Sequence, residues 1–505
     1  MANTNLFTIF TKTNTMRKSL LFLLILTTQL LSAQIITDLG IYPPPAPLAL
    51  PAAGGSFTDP TFGTEILRVT DEADGTENEH GYSYWQCFNA DNSIVYVYSV
   101  NGIKTLYDLD TAALTISNKR SAFPTLIDGE SPLGEDQIWD AENKNIIYCH
   151  TYKNIVAYNV SDNTYSIIKN LEGFIPNNEY VYQMSMSEDA TKFAFSRKRL
   201  TDYNVSGYLV YDVTTDSVYS ITETHIDEVQ LNKAGTYLWV KTDKQGEGVI
   251  QSQIINLATW EKEELTDNGP DFAPGHGDVG LDFIVGADNW ENRLLYRKFD
   301  NPHTFYSVWN FEGDWGQDVH VSQLATNENW VLISCYMAST GYPFSGLIEN
   351  EILQVSTDGL MSVRRLCHHQ SDYIGSGNNY WASPRASISR DGRFVIFSSN
   401  WGNLDRTDVF IMKIPAAPGE ETPESITNFN TNSFSLFPNP SSNLLQIDAV
   451  NNVNFTIAGT VNYLGADVDV RFINNKAAVE FLPTGLYFTK VLIGNNYVLL
   501  PWEKK

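Results

Sequence analysis

Short apolar runs separated by polar turns repeat along residues 60–415. Each unit contains a turn rich in Asp, Asn or Gly, an apolar strand, a second strand that ends in Asp or Asn, and a Thr-rich turn before a third strand. In the first unit, Asn89–Asn92 precedes Ile94–Tyr98, and Thr105–Thr111 follows. Further units start near residues 140, 187, 232, 280, 327 and 389, about 45–65 residues apart. A period close to this, with several short strands per unit, is typical of β-propeller blades.

The repeat predicts an all-β chain with a seven-bladed β-propeller over residues 60–415, with six or eight blades as the alternatives. A sheet of about four strands cannot bury both faces alone, so such sheets stack around a central axis. Glu65–Thr70 precedes the first full unit and is expected to pair into the last blade, which removes a free edge. In this architecture, loops that are distant in sequence meet at one end of the channel.

The chain ends predict segments outside the propeller. Met16-Arg17-Lys18 followed by the apolar run Leu20–Leu31 and Ser32-Ala33 is typical of a signal peptide, here residues 1–33 with cleavage after Ala33. Residues 1–15 form an upstream extension if Met16 is the true start. Residues 34–59 are predicted to be a Pro-rich spacer and residues 416–430 a linker. Alternating apolar and polar positions predict a small β-sandwich over residues 431–505.

The charge balance excludes one class of partner. The chain of 505 residues has 33 Lys and Arg against 59 Asp and Glu, a net charge of −26. The leader carries three cations and no acid, so the mature chain has 30 cations against 59 acids, a net charge of −29. This argues against nucleic-acid binding, which needs a basic footprint. Four scattered cysteines are too few for a disulfide scaffold.

The tail carries a recognisable set of residues. It contains Phe437-Pro438-Asn439-Pro440 near its start and Gly485-Leu486-Tyr487 later, and it ends in Glu503-Lys504-Lys505. It resembles the C-terminal sorting domain of Bacteroidetes proteins exported by the type IX secretion system. The resemblance implies a secreted or outer-membrane surface-attached protein whose tail interacts with the type IX machinery. The alternative is an ordinary accessory sandwich domain.

Several loop motifs of the repeat region occur in a fixed order. They are Glu79–Ser83, Gly134–Trp139, Gly275–Gly280, Asp318–Ser322, Cys367–Ser371, Ser383–Ser387 and Phe397–Gly402. Taken together, they resemble those of the propeller polysaccharide lyases, most closely the ulvan lyase-like propellers and more distantly the oligogalacturonate lyases. The resemblance implies a β-elimination that cleaves a uronate-containing, anionic polysaccharide.

The candidate catalytic residues are His80, Tyr82 and His150, because His and Tyr are suitable acid–base groups near the early blades. The candidate substrate-binding residues are Arg385, Arg365 and Gln137, since Arg binds planar carboxylates bidentately. The alternatives are that His80 is a hydrogen-bonded loop histidine and that His150 packs in the core. A lyase site requires His80, Tyr82 and at least two arginines to converge.

Metal binding is a separate question. Oligogalacturonate lyases hold a catalytic metal with a His-x-His pair, and the matching positions here are Ser383 and Arg385, so that site is missing. The ulvan lyase resemblance implies a structural zinc, for which His276, Asp278, Cys335 and His368 are the candidate ligands, with His369 as a substitute for His368. The alternative is a polar network between blades.

Two other functions remain open. One is a non-catalytic surface propeller that binds glycans or proteins. The other is a propeller hydrolase, for which the sequence offers no distinctive pair of carboxylates.

Overall fold

The computed structural model divides the chain into two compact units, Met1–Pro415 and Ala416–Lys505. The predicted signal peptide and the predicted linker lie outside the described residues. No helix in the described part of the chain has the length and apolar character that a membrane crossing requires. The structure describes residues 35–46, 48–99, 101–342, 345–377, 379–402, 404–415, 434–449, 455–462, 467–468, 470–472, 475–493 and 496–505.

The described residues of the first unit form seven antiparallel sheets. In sheets 1 to 6 the strands follow one another in chain order, since a short turn connects each strand to its antiparallel neighbour. The strands of sheets 1 to 3 are β3 (Asn78–Glu79), β4 (Ile94–Ser99), β5 (Lys104–Asp110) and β6 (Thr115–Ser121); β7 (Ile138–Trp139), β8 (Ile146–His150), β9 (Asn154–Asn159) and β10 (Thr164–Asn170); and β11 (Glu179–Met186), β12 (Lys192–Arg199), β13 (Val205–Asp212) and β14 (Ser217–Thr222).

Sheets 4 to 6 repeat the same arrangement. In all six sheets, the turns that the sequence marks with Asp, Asn and Gly join the first strand to the second. In sheets 1 and 3, residues with positive φ angles, Asn92 and Ala190, form the tight bend of this turn. The strands are β15 (Ile226–Leu231), β16 (Tyr237–Thr242), β17 (Ile250–Asn256) and β18 (Lys262–Thr266); β19 (Gly277–Val279), β20 (Phe283–Asp288), β21 (Arg293–Lys298) and β22 (Asn301–Asn310); and β23 (Gln317–Ser322), β24 (Trp330–Met337), β25 (Glu351–Ser356) and β26 (Val363–His368).

Sheet 7 joins the two ends of the first unit. The N-terminal strand β2 pairs with β29 near the C-terminal end of the unit, with Leu67 opposite Ile411. This is the pairing that the position of Glu65–Thr70 in the sequence predicts. The strands, in sheet order, are β1 (Ser56–Thr58), β2 (Glu65–Arg68), β29 (Asp408–Lys413), β28 (Phe394–Ser399) and β27 (Ser387–Ile388).

The core lies between the sheets. Among the described residues, six apolar clusters each join two sheets that are consecutive in the chain, and a seventh joins sheet 7 to sheet 1 through Phe394 and Phe88. The sheets therefore pack in a cyclic order. Because each sheet buries both faces, its inner strands are continuous apolar runs such as Phe394–Phe397, which is fully buried.

The Pro-rich segment that the sequence predicts to be a spacer packs on sheets 6 and 7. The backbone N–H of Arg365 in β26 donates to the carbonyl of Ile36 over 2.9 Å, so Ile36 bridges to the edge strand. Ile35 is buried, and Trp401 donates from its indole nitrogen to the carbonyl of Leu48. An edge strand that would otherwise expose its backbone is thus covered.

The second unit contains two antiparallel sheets in its described residues. Leu445 of one sheet and Trp502 of the other share one apolar cluster, because the alternating pattern gives each sheet an apolar face. The strands are β30 (Phe434–Phe437), β31 (Leu444–Ala449) and β34 (Lys476–Ala478) in one sheet, and β33 (Asp467–Val468), β32 (Thr456–Asn462), β35 (Gly485–Ile493) and β36 (Asn496–Lys504) in the other. The two short 3-10 turns of the chain's described part, Glu72–Asp74 and Tyr380–Ala382, both lie in the first unit.

Candidate functional site

The first strands of the sheets face one another across the middle of the ring. The indole nitrogen of Trp85, after β3, donates to the carbonyl of Met184 in sheet 3. The Tyr84 hydroxyl donates to Glu228 in sheet 4, and Tyr82 contacts His320 in sheet 6. The cyclic packing therefore brings segments about 100 to 240 residues apart in sequence together in the middle of the ring, a region that we call the mouth.

A stack of three rings forms one wall of the mouth. The His320 ring lies between those of His276 and Tyr336, with centroids 5.0 and 5.4 Å away and nearly parallel planes. The ring of Tyr82 meets His320 edge-on at 5.1 Å. Both ring nitrogens of His320 are buried and, within the described residues, make no hydrogen bond. A buried polar group without a partner is a feature that functional sites often carry.

The two histidines of this stack have opposite electrostatic surroundings. Withdrawal from solvent lowers the pKa of His276, but a contact with Asp318 (Nδ1 to Oδ1, 3.4 Å) and the aspartate charge outweigh this effect and raise the pKa above its usual value. Burial, together with the charge of His276, holds the pKa of His320 well below its usual range. Pairs of titratable groups with diverging pKa values are typical of acid–base sites. His276 is the exposed member, with 45% of its side chain accessible.

Asp318 organises this wall. Its Oδ2 accepts a hydrogen bond of 3.0 Å from the Tyr336 hydroxyl, while its Oδ1 faces His276. Burial raises the pKa of the Asp318 carboxyl, but the interactions with His276 dominate and hold it far below its usual range. The carboxylate is therefore charged and fixes two of the three stacked rings.

Tyr82 is the predicted catalytic residue that lies in the mouth. Its half-buried ring packs 4.7 Å from Tyr84 and contacts His320. Burial, with the nearby Tyr380, holds the pKa of the Tyr82 phenol well above its usual value. The phenol keeps its proton at neutral pH and is a proton donor.

Arg385, a predicted substrate-binding residue, borders the mouth but is fully buried. Its Nη2 is 2.5 Å from Oε2 of Glu79, and its guanidinium carbon lies 5.2 and 4.9 Å from the ring centroids of Tyr380 and Trp381. Its Nη1, like Oε1 of Glu79, has no hydrogen-bond partner among the described residues. Its φ of 41° is unusual for a residue with a side chain.

Two carboxyls near Arg385 lose acidity through burial. Burial raises the pKa of Glu79 to about 8, although the charge of Arg385 opposes the rise. Burial likewise raises the pKa of Glu135 to about 7. At neutral pH both groups are therefore partly protonated, and this side of the mouth is less negative than its composition indicates.

A buried lysine, Lys241, lies beside Tyr84 at the mouth. The ammonium of Lys241 pairs with Glu228 and is 4.6 Å from the ring of Trp239. Burial lowers its pKa to about 8, while the charges of Asp227 and Asp278 oppose the decrease. At neutral pH the mouth thus carries the cations Lys241 and Arg385, and the raised pKa of His276 favours its protonated form.

The predicted catalytic residue His80 is buried beneath the mouth, and both of its ring nitrogens are engaged. Nε2 donates to the carbonyl of Arg385 over 2.7 Å, and Nδ1 accepts from the Ser398 hydroxyl over 3.1 Å. Burial, followed by the charge of Arg385, lowers the pKa of His80 to about 3. His80 therefore positions the backbone that carries Arg385, as the alternative of a hydrogen-bonded loop histidine anticipates.

His150 and Gln137 are also buried within the fold. Nε2 of His150 lies 2.9 Å from Oδ2 of Asp136, and its Nδ1 lies 3.1 Å from the carbonyl of Thr151. The Gln137 amide donates to the carbonyl of Leu133 and accepts from a buried tyrosine hydroxyl. Both side chains hold the loop before sheet 2 in place and leave no free atom for a substrate.

Arg365 lies away from the mouth, on the outer strand β26 of sheet 6. Its Nε donates to Oε2 of Glu351 over 2.6 Å, and its Nη1 donates to the carbonyl of Gly40 over 2.8 Å. The ring of Tyr42 covers the guanidinium at 4.9 Å. Arg365 thus clamps the N-terminal segment to the sheet, so its predicted role in substrate binding is replaced by a structural one.

The four predicted zinc ligands do not come together. Cys335 lies in the apolar core between sheets 5 and 6, where burial holds the pKa of its thiol well above the usual value. Both carboxylate oxygens of Asp278 accept backbone N–H groups, and Nε2 of His368 donates to the carbonyl of Tyr42. Only His276 faces the mouth. The polar-network alternative describes these residues better than a metal site does.

Sequence reasoning missed several residues of the mouth. Asp318 and His320 lie in a motif that the sequence singles out, but no feature of the motif indicates which ring would remain without a partner. Tyr336 and Lys241 lie within apolar strands, where their spacing matches core positions. No local signal distinguishes them from packing residues.

No family model matches the chain, and no curated protein matches it. Among solved structures, the chain is similar to an oligogalacturonate lyase from Vibrio parahaemolyticus, with 12% identity and a TM-score of 0.54 over 72% of this chain and 96% of that one. It is also similar to an oligogalacturonate lyase in complex with manganese, with 11% identity and a TM-score of 0.53 over 76% and 97% of the two chains. At this identity the likeness shows the fold, a β-propeller, and not the activity.

The described residues do not fit a manganese site. They contain no group of three or more His, Cys, Asp or Glu side chains arranged to hold a metal ion. Arg385 is at one of the two positions that match the His-x-His pair discussed in the sequence analysis. Its guanidinium is fully buried and paired with Glu79. A guanidinium has no lone pair for a metal and repels a cation.

Proposed function

We propose that this protein is a secreted, carbohydrate-active propeller that cleaves a uronate-containing polysaccharide by β-elimination, with its reacting groups in the mouth. The observation that carries the proposal is the stack in which neutral His320 lies between His276 and Tyr336, with Tyr82 at its edge. The seven sheets serve as the blades of a seven-bladed propeller that positions these loops.

The proposed chemistry follows from the protonation states. The ring nitrogens of His320 are covered in this structure, so the proposed reaction requires Tyr82, which meets the ring, to shift as the substrate binds. The neutral His320 then accepts the proton from the carbon next to the uronate carboxyl group, and the electrons of that C–H bond form the new carbon–carbon double bond. The glycosidic C–O bond breaks, and its oxygen takes the phenolic proton of Tyr82. The cationic His276, which is accessible, binds the uronate carboxylate and stabilises the negative charge that develops on it.

The acidic composition of the chain opposes an anionic substrate, and two features of the mouth reduce this repulsion. Burial raises the pKa values of Glu79 and Glu135, so these carboxyls are only partly charged at neutral pH. The ammonium of Lys241 compensates a further acid, Glu228, and Arg385 compensates the charge that remains on Glu79. The exposed ring of Tyr380 and the half-buried ring of Tyr82 offer faces on which a sugar can pack.

The direct experiment incubates the purified protein with ulvan and with polygalacturonate and follows the ultraviolet absorbance of the unsaturated product. Elimination by the native chain, with loss of product formation in a His320→Asn variant that remains folded, is the expected result. Equal product formation by the native chain and this variant would remove His320 from the reaction. The absence of product from every uronate polymer tested would overturn the lyase proposal.

A non-catalytic glycan-binding propeller is the second candidate. The observation in its favour is that His80 and His150, which the lyase resemblance suggests as acid–base residues, have both ring nitrogens engaged. In addition, the arginines do not converge: Arg365 and Arg197 pair with acids in different sheets. Polymer binding without any unsaturated product would favour this candidate.

We also propose that residues 431–505 are a type IX sorting domain. Its motif residues, far apart in sequence, lie together: Asn439 accepts from the backbone N–H of Glu503, and Ser441 exchanges backbone hydrogen bonds with Glu503 and Lys505. Removal of residues 431–505 should retain the protein inside a type IX host, whereas removal of an internal loop of equal charge should not. N-terminal sequencing of the exported protein tests cleavage after Ala33.

A further inference from the structure

A groove outside the mouth carries cations in a protein that is otherwise acidic. It lies on the outer side of sheet 1, has a volume of about 440 Å³, and is called here the rim groove. Its lining includes no Asp or Glu, although the chain as a whole has 59 acids against 33 cations. The side chains that the argument uses are Ile103, Lys104, Lys119, Arg120 and Phe123.

The three cations differ in how strongly they are compensated. Lys104 makes no ion pair with the described residues, and its ammonium lies 5.2 Å from the centroid of the Tyr98 ring. Lys119 pairs with Asp74, and Arg120 pairs with Asp108 over 2.7 Å. Both partners lie outside the lining of the groove. Arg120 and Asp108 are both partly exposed, and because surface pairs contribute little, Arg120 can exchange its partner for an anionic ligand at small cost. Asp74 is only 12% exposed, so the half-exposed Lys119 keeps this pair when a ligand binds.

The groove also offers an apolar surface. The side chain of Ile103 is 56% exposed, and the ring of Phe123 lies in the lining with little exposure. A sugar ring presents C–H groups on its faces and polar groups at its edge, so an apolar surface between cations suits an acidic sugar better than it suits a free ion.

The rim groove is one strand away from the mouth. Tyr98, which contacts Lys104, pairs across the sheet with Glu79, and Glu79 holds Arg385 at the mouth. An extended chain that leaves the mouth over sheet 1 therefore reaches the groove directly. A monosaccharide or a short fragment bound in the mouth does not.

We propose that the rim groove is a second binding site for the anionic polysaccharide, which holds a non-reacting stretch of the same chain that enters the mouth. This inference rests on the proposed function for its substrate class. A second site in the rim groove makes the protein selective for long chains over short fragments, because a polymer bound in the groove has a higher effective concentration at the mouth.

The test compares a Lys104→Gln/Lys119→Gln variant with a Lys262→Gln/Lys298→Gln control, which removes the same charge from β18 in sheet 4 and β21 in sheet 5. Binding of the full chain to polygalacturonate and to ulvan is measured at low salt, and elimination is measured on each polymer and on its trimers. We expect the groove variant to bind polymer roughly threefold to tenfold more weakly than the control. Its kcat on trimers should equal that of the control.

The outcomes separate the two proposals. Weaker polymer binding by the groove variant, with no elimination by any form, supports the groove and overturns the lyase. Elimination by the native chain with equal polymer binding and equal KM in both double variants overturns the groove and leaves the lyase. A native chain that binds neither polymer overturns the groove as well.

Discussion

The rings of His276 and His320 stack at a centroid distance of 5.0 Å, yet one imidazole is held by a carboxylate and the other has no polar partner in the described structure. This relationship gives the two histidines opposite preferences for a proton. The cyclic packing of the sheets creates it, because His276 lies directly before the first strand of sheet 5 and His320 lies in the first strand of sheet 6.

Replacement of His320 should abolish elimination without unfolding the protein. A His320→Asn variant keeps a polar side chain of similar reach but removes the base, so kcat should fall by about 10²- to 10⁴-fold. Product absorbance and circular dichroism check activity and fold. His225→Asn, at an exposed histidine before sheet 4, is the matched control and should leave kcat unchanged. Normal activity in the His320 variant would contradict the assignment.

Replacement of His80 should act on stability first. A His80→Ala change leaves the carbonyl of Arg385 and the hydroxyl of Ser398 without their partner, at a cost of about 1–3 kcal/mol in unfolding free energy. Denaturant titration measures this cost. Unaltered stability combined with lost activity would instead identify His80 as a reacting group.

The buried histidines His80 and His369 should contribute a loss of stability in mild acid, which the comparison with a His80 variant isolates. Burial lowers the folded-state pKa values of His80 and His369 to about 3, against a usual 6.5. Above about pH 6.5 these histidines are neutral in both states, so their contribution to stability is complete. Below it the unfolded chain binds protons that the folded chain does not, so stability falls as the pH decreases toward 3. Unfolding curves at several pH values test this, and His80→Gln should show a shallower decline.

Removal of Arg365 should loosen the N-terminal segment. Arg365→Ala leaves Glu351 buried without its partner and removes a donor to Gly40, at an expected cost of about 3–5 kcal/mol. Limited proteolysis should then cut within residues 35–50. Arg199→Ala, which breaks an exposed pair with Asp202, should change neither property. Resistance of the Arg365 variant to proteolysis would show that other contacts hold the segment.

Cys335 should be irrelevant to metal content. Its thiol lies in the apolar core between sheets 5 and 6, so Cys335→Ala should reduce stability through a small cavity and leave the metal content of the purified protein unchanged. Elemental analysis of native protein and variant checks this. Stoichiometric zinc in the native protein that is lost in the variant would restore the predicted site.

Much of the fold follows from the sequence, but less of the candidate site does. The strands around Ile94–Ser99 and Phe394–Ser399 were predictable, because a run of apolar residues after an Asp/Asn turn has few other conformations that bury it. Tyr82 was predictable as a mouth residue from its motif. Arg365 was not predictable as a clamp, since the segment it holds is more than 300 residues away in sequence.

The sequence by itself determined the repeat and the all-β character, because these depend on local hydrophobic periodicity. It also indicated that Glu65–Arg68 pairs with the last sheet, because a strand ahead of the first unit can remove the free edge there. Only the tertiary structure decided which histidines are engaged and which are not. Nothing in the sequence distinguishes His80 from His320. In the structure, the Ser398 hydroxyl and the Arg385 carbonyl form hydrogen bonds with both ring nitrogens of His80, whereas aromatic rings pack on both faces of His320. Hydrogen bonds across a ring of sheets join residues of large sequence separation, and no local pattern encodes them.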